Sequence, residues 1–348
     1  AWMFGLDEAI GPRGILILGP STTQLVFNLA AAFAPSLRPG DEIVVTEADH
    51  EANVGAWRRL AGCGAVVKTW PVDHARACLD LADLEPLLSS RTRLVCMTHC
   101  SNILGTIVDV RAAAELVHRA GARIFVDGVA WAPHGPIDFP ALGVDGYVFS
   151  VYKVYGPHLA AAALRPDFFA ELANINHHFY DSGPYRLQPG GANPELVAGC
   201  AAIAAHLDDL GADLDPAMRE SAHDPAMRES ARALAWAAIA RHEADLAEHL
   251  LGFLNSRPRV RVVGETCPDR HVRVPTISFV VDGEPSASIP PRLGAHGFAV
   301  RHGEFCSRGL VDALGLRAVG GVVRISLVHY NTHDEVERLI AALAPIVA

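Results

Sequence analysis

With 348 residues, half of them hydrophobic and one fifth charged, the chain has the composition of a globular protein. Its length suits two domains, or one large domain with a smaller one attached. A net charge of −10 without any basic run excludes a surface built for nucleic acid or an anionic membrane.

The chain opens Ala-Trp-Met-Phe without an initiator methionine and passes straight into patterned sequence, so it reads as shortened at its N-terminus. No secretory signal is visible. Residues 14–19 (GILILG) then read as a strand, followed by a helix from Ser21 or Thr22 to about Ala34. Further strands are expected at 41–48, 65–72, 93–99, 123–130, 146–153 and 158–166, with helices over 52–61, 81–90 and 110–121 between them. Unbroken apolar strands alternating with helices indicate an α/β fold, a mostly parallel sheet covered on both faces. The longest apolar runs, such as 30–35 and 159–164, are far too short to span a bilayer.

From about Asn193 to Leu254 the pattern is helical, and DPAMRESAH (215–223) is followed at once by DPAMRESAR (224–232). Asp-Pro is a good helix-starting pair, so each copy can open a helix; one duplication makes no solenoid and reads as a tolerated surface insertion. From Pro258 onward, strands at 260–265, 276–283, 298–303 and 322–330 and a terminal helix describe a small α+β domain. Thr332 with Glu335 forms a capping box for that helix. The division is expected at 1–250 and 251–348.

Seven cysteines stand at 63, 78, 96, 100, 200, 267 and 306, with no CxxC pair, as suits reduced thiols in the cytoplasm. CMTHC (96–100) lacks a second half-site and there is no HExxH, so no metal site is expected.

Lysine is rare here. Only Lys68 and Lys153 occur, and Lys153 sits in SVYKVYGP among valines and tyrosines. A buried ammonium is costly unless paired or used, and amine chemistry is the one task arginine cannot assume. Other reactive residues fall at strand ends. Ser21, Thr22 and Thr23 follow the first strand at a helix N-terminus, a place for phosphate or simply a helix cap. His50, Asn102, Asp127 and Ser150 follow other strands, where parallel sheets open a ligand crevice. Asp127 alone could equally cap a loop. Together they outline a site for an aromatic phosphorylated cofactor held by a lysine.

The order STT, DHEAN, SNILGT, DG, SVYK, VRHGEFC and VRISLVHYNTHDEV resembles the class V aminotransferases, which use pyridoxal 5′-phosphate (PLP), and most of all their cysteine desulfurase and selenocysteine lyase branch. The resemblance runs along essentially the whole chain, except that about fifty N-terminal residues of the family are expected to be absent, judged by domain anatomy. It implies the PLP-dependent transferase fold of type I and a homodimer. It implies that Lys153 carries the cofactor and later takes the substrate Cα proton. Asp127 would pair with the pyridine nitrogen, His50 would stack on the ring, and Asn102 would bond the ring oxygen. Thr22, Thr23 and Ser150, with Tyr152, would hold the phosphate. Arg324 would grip the substrate carboxylate. Relatives carry Gln or His where Ala130 stands, and often Thr where Gly191 stands; both departures thin the cofactor's hydrogen-bond shell.

In desulfurases, a cysteine at the position of Cys306 takes sulfur from the substrate. Arg301, His302 and Arg308 nearby favour a thiolate, Glu304 opposes it, and a cysteine that merely packs is the plain alternative. The expected activity is removal of sulfur from L-cysteine to give alanine and a persulfide on Cys306, for a possible acceptor protein. The alternatives are an aminotransferase, epimerase or C–S lyase acting on another amino acid, or a non-catalytic binding subunit.

Overall fold

The computed structural model describes residues 2–6, 14–215, 218 and 224–348. Seven strands form the larger sheet: β1 (Ile15–Gly19), β2 (Glu42–Thr46), β3 (Val66–Trp70), β4 (Thr92–Thr98), β5 (Arg123–Asp127), β6 (Gly146–Ser150) and β7 (Ala160–Leu164). They lie in the order β1-β7-β6-β5-β4-β2-β3. Only β7 runs antiparallel to its neighbours; the others share one direction.

Both faces are covered, which is why the central strands are largely apolar, whereas the edge strand β3 carries Lys68 and Thr69 and is only partly buried. Successive residues point to opposite faces. Val44, Val95 and Ile124 therefore pack with the helix Val110–Arg119 on one side. Ile43, Leu94 and Phe125 pack with the helix Thr22–Phe33 on the other. The shared direction also brings the C-terminal ends of β1, β2, β4, β5 and β6 to one rim.

A second sheet holds β8 (Val260–Val263), β9 (Thr276–Val281), β10 (Arg301–Gly303) and β11 (Val322–Ser326), all antiparallel, in the order β10-β11-β9-β8. The helix His333–Leu343 covers it and begins with the expected capping box. One long helix, Pro225–Asn255, serves both cores: Ala235, Trp236 and Ile239 pack on the large sheet, and Leu246, Leu250 and Leu254 on the small one. Residue 250 thus lies inside a helix shared by the two layers.

The loop after β4 joins the two parts. Ser278 donates its hydroxyl to the Ile103 carbonyl at 2.6 Å, and the Val274 amide donates to the Gly105 carbonyl at 2.9 Å. Gly105 has φ +68, and a Cβ there would lie 2.3 Å from the Thr276 carbonyl, so only glycine permits this approach.

Three elements differ from the sequence pattern. The strand expected through residue 153 stops at Ser150; Val151–Val154 form a 3-10 turn closed by Tyr155 at φ 63. The Val151 amide donates to the Leu159 carbonyl, which folds the chain back before the strand can continue. The strand expected over 298–303 shrinks to Arg301–Gly303. In the duplication, the second copy opens a helix, with Asp224 accepting from the Ala226 amide; all of the first copy except Asp215 and Met218 lies outside the described residues.

Candidate active site

The rim gathers the expected residues. After β1, Ser21 caps the twelve-residue helix, accepting from the Gln24 amide at 3.1 Å. The buried Thr22 hydroxyl lies 2.8 Å from that of Ser150 at the end of β6. Two hydroxyls and a helix N-terminus so converge, the arrangement that suits a phosphate. Thr23 is exposed on the first helical turn. Tyr152 is 43% exposed and stacks flat on His158 at 4.7 Å.

After β2, His50 caps its helix, accepting at Nδ1 from the Ala52 amide at 3.0 Å. Burial, then the cations of Lys153 and Arg324, hold its pKa down at about 4, so the ring is neutral at physiological pH. Asp127, buried at the end of β5, accepts from the Val129 amide at 2.8 Å. Burial raises its carboxyl to about 6. Lys153 is exposed to water, yet the surrounding protein desolvates its ammonium and lowers its pKa. It has no hydrogen-bond or ion-pair partner among the described residues. A buried carboxylate, an amine without a partner and a pair of hydroxyls on one rim suit an aromatic ring with a basic nitrogen, an aldehyde and a phosphate.

The small domain closes the other side. Arg324 on β11 donates Nη1 to the Asn102 carbonyl at 2.8 Å, and its guanidinium sits 3.8 Å from the Phe305 ring centroid. Burial and then Arg301 lower its pKa to about 10. Phe305 and Cys306 adopt φ 48 and φ 57, the left-handed region that side chains disfavour. The turn is pinned from the large domain. Asn102 donates Nδ2 to the Phe305 carbonyl at 3.0 Å and accepts from the Ser307 hydroxyl at 2.8 Å. The Glu51 amide donates to the Cys306 carbonyl at 2.7 Å. Asn102, expected only at the cofactor ring, therefore anchors the cysteine turn and keeps one amide hydrogen free. Cys306 itself is exposed.

Several supporting residues have no motif of their own. Buried Asp49 accepts from the His50 amide and from Asn53, whose carbonyl takes the Trp57 indole N–H. Burial, and Asp127 close by, hold the Asp49 carboxyl well above its ordinary range. The acid preceding His50 in DHEAN was the available signal. His99, buried after β4, stacks on Trp131 and bonds the Tyr147 hydroxyl at 2.8 Å. Among the described residues no group of His, Cys, Asp and Glu could hold a metal ion, and no helix is long and apolar enough to cross a membrane. A cavity of about 1200 Å³ bordered by Trp2, Trp236 and Arg273 shares none of the rim residues, and the chemistry above lies outside it.

Cysteine desulfurase CsdA of Escherichia coli has the same architecture, with a TM-score of 0.81 over 99% of this chain and 81% of that one at 25% identity. The fold is that of a PLP-dependent enzyme of fold type I. The aminotransferase class-V family matches residues 15–229 and 225–339, and the chain belongs to that family. The two matches overlap within the second copy of the duplicated nonapeptide. The chain is 41% identical to an aminotransferase-like protein of Gibberella zeae, covering 97% of this chain and 78% of that protein. It is 34% identical to a cysteine desulfurase-like protein of Aspergillus flavus, over 95% and 73%. Its cofactor is accordingly PLP.

Proposed function

We propose that this enzyme removes sulfur from L-cysteine, leaving alanine and a persulfide on Cys306. PLP supplies the electron sink that makes the substrate Cα proton removable. Thr22, Thr23 and Ser150 hold its phosphate at the helix N-terminus, with Tyr152 at the edge. Asp127 meets the pyridine nitrogen, neutral His50 covers the ring face, and the free amide hydrogen of Asn102 serves the ring oxygen. Lys153 carries the cofactor and, as an amine easily deprotonated, accepts the Cα proton. Arg324, oriented by the Asn102 carbonyl and the Phe305 face, binds the substrate carboxylate. Cys306 thiolate forms a bond to the substrate sulfur as the Cβ–S bond breaks; that bond's electron pair stays with carbon, which is protonated on the way to alanine. The persulfide then passes to an acceptor protein, and the enzyme works as a homodimer.

One observation carries this reading. The Cys306 turn is tied through Asn102 and Glu51 to the rim that bears His50 and Lys153. Alanine release from L-cysteine by the PLP-loaded protein, with sulfide freed from the persulfide by an added thiol reductant, tests it. Cys306→Ala is expected to abolish both while retaining the cofactor; full activity in that variant overturns the persulfide step. The pinning of the turn also supports a second reading, chemistry on another amino acid with no persulfide, and the relative named aminotransferase-like agrees with it. An amino-acid panel showing turnover in Cys306→Ala would select that reading.

A further inference from the structure

We propose that His206 and His329 form a binding site for a divalent metal ion that favours nitrogen ligands, such as zinc, copper or nickel, and that the bound ion clips the small domain to the large one. The two residues lie 123 positions apart in the chain and take no part in the chemistry proposed above.

The imidazoles meet from different cores. His206 is exposed on the helix Ala201–Leu214, whose Ile203 and Leu207 are buried with the large sheet. His329 follows β11, where Leu327 is buried with the small sheet. Their Nε2 atoms stand 3.4 Å apart, which is long for a hydrogen bond. Two nitrogens bound at about 2.0–2.1 Å by one tetrahedral ion lie about 3.3–3.4 Å from each other. The pair therefore already has the spacing of two ligands.

His329 is prepared for this role. The Tyr155 hydroxyl donates to the Pro133 carbonyl at 3.2 Å, so its oxygen accepts from His329 Nδ1 at 3.0 Å. With its proton on Nδ1, His329 presents a bare lone pair at Nε2 to His206. Metal-binding histidines are commonly oriented by such a bond from the other ring nitrogen. The Tyr155 ring also stands edge-on to both imidazoles, 4.8 Å from His329 and 5.7 Å from His206 between centroids. The turn that carries His329 is fixed. The Val328 amide donates to the Asn331 side-chain oxygen and the Asn331 amide to the Val328 carbonyl, each at 2.9 Å. His242, on the long helix, donates Nε2 to the Asn331 carbonyl at 2.7 Å. His206 has no other hydrogen-bond partner among the described residues, so its own proton is free to move to Nδ1. No third His, Cys, Asp or Glu joins the pair among those residues; the site is a two-point clip whose other positions take water.

The test is titration of the PLP-loaded protein with Ni²⁺, followed by calorimetry and by thermal unfolding. Nickel is the probe because imidazole suits it, whereas exposed thiols such as Cys267 compete for zinc. One ion per chain is expected to bind at this pair and to raise the Tm. Tyr155→Phe keeps both ligands and the aromatic ring but removes the orienting bond, and should weaken binding about 10-fold. His206→Ala and His329→Ala should each weaken it further and abolish the rise in Tm. His206 is exposed, so its variant keeps the fold. Equal nickel affinity in the unaltered protein and His206→Ala overturns the site. So does a loss in His206→Ala that His329→Ala does not share, because the ion then sits elsewhere. An unaltered protein that binds nickel with no rise in Tm overturns the clip.

Discussion

Asn102→Ala tests how the cysteine turn is held. The substitution removes the donor to the Phe305 carbonyl and the acceptor for the Ser307 hydroxyl, a group that is 2% exposed. Two hydrogen bonds at about 1 kcal/mol each, one of them leaving a buried hydroxyl unpaired, give a loss of about 2–3 kcal/mol. Phe305 and Cys306 hold left-handed conformations that persist only while their surroundings impose them, so the turn should relax. In cofactor-free protein, Tm should fall by about 4 °C. Amide hydrogen exchange should rise at Ser307 and at Glu51, whose N–H donates to the Cys306 carbonyl. Asn102→Asp, which keeps the acceptor and loses the donor, should fall between. A Tm within a degree of the parent, with exchange unchanged at both amides, would refute the claim that Asn102 shapes this turn.

Asp127→Asn should stabilise the cofactor-free protein above pH 7 while preventing catalysis. Burial raises the Asp127 carboxyl from 3.8 to about 6 in the fold; its stability contribution is therefore intact below pH 3.8 and lost as pH rises through 6, at most about 3 kcal/mol. Denaturation at pH 8 and pH 4 should show the gain at pH 8 alone. His50 acts in the opposite sense: its pKa is depressed from 6.5 to about 4, so stability falls as pH drops across that window, and His50→Gln should flatten the acid side of the profile. Lys153→Ala should yield protein whose PLP is removed by dialysis and whose lysine-bound absorption is missing; retained colour would count against Lys153 as the carrier. Gly321→Ala forces a Cβ to 2.3 Å from the Gly303 carbonyl and should cost at least about 2 kcal/mol of stability by denaturant titration, with β10 the first strand to exchange.

The large sheet was legible because its central strands are buried on both faces and its helices on one, so hydrophobic period separates them. The strands of the smaller sheet were readable in the same way, and the start of the terminal helix from the Thr332–Glu335 capping-box spacing. Where the chain turns back early, as after Ser150, period gave no warning: a turn set by the Val151–Leu159 contact leaves the residues as apolar as a strand. Lys153, Asp127, His50, Thr22 and Ser150 could be named in advance because strand ends in a parallel sheet share one rim.

Local pattern thus indicated the α/β fold and which reactive residues fall at strand ends of the large sheet, while the resemblance to the class V aminotransferases supplied the fold type and the cofactor. Only the tertiary structure decided what meets that rim from the other domain. Asn102 grips a turn 203 residues away, Phe305 covers Arg324, and Arg301 stands opposite Arg324 because two strands pair in one register. Such contacts join segments far apart in the chain through backbone groups every residue possesses, and no side-chain pattern encodes which carbonyl will be met.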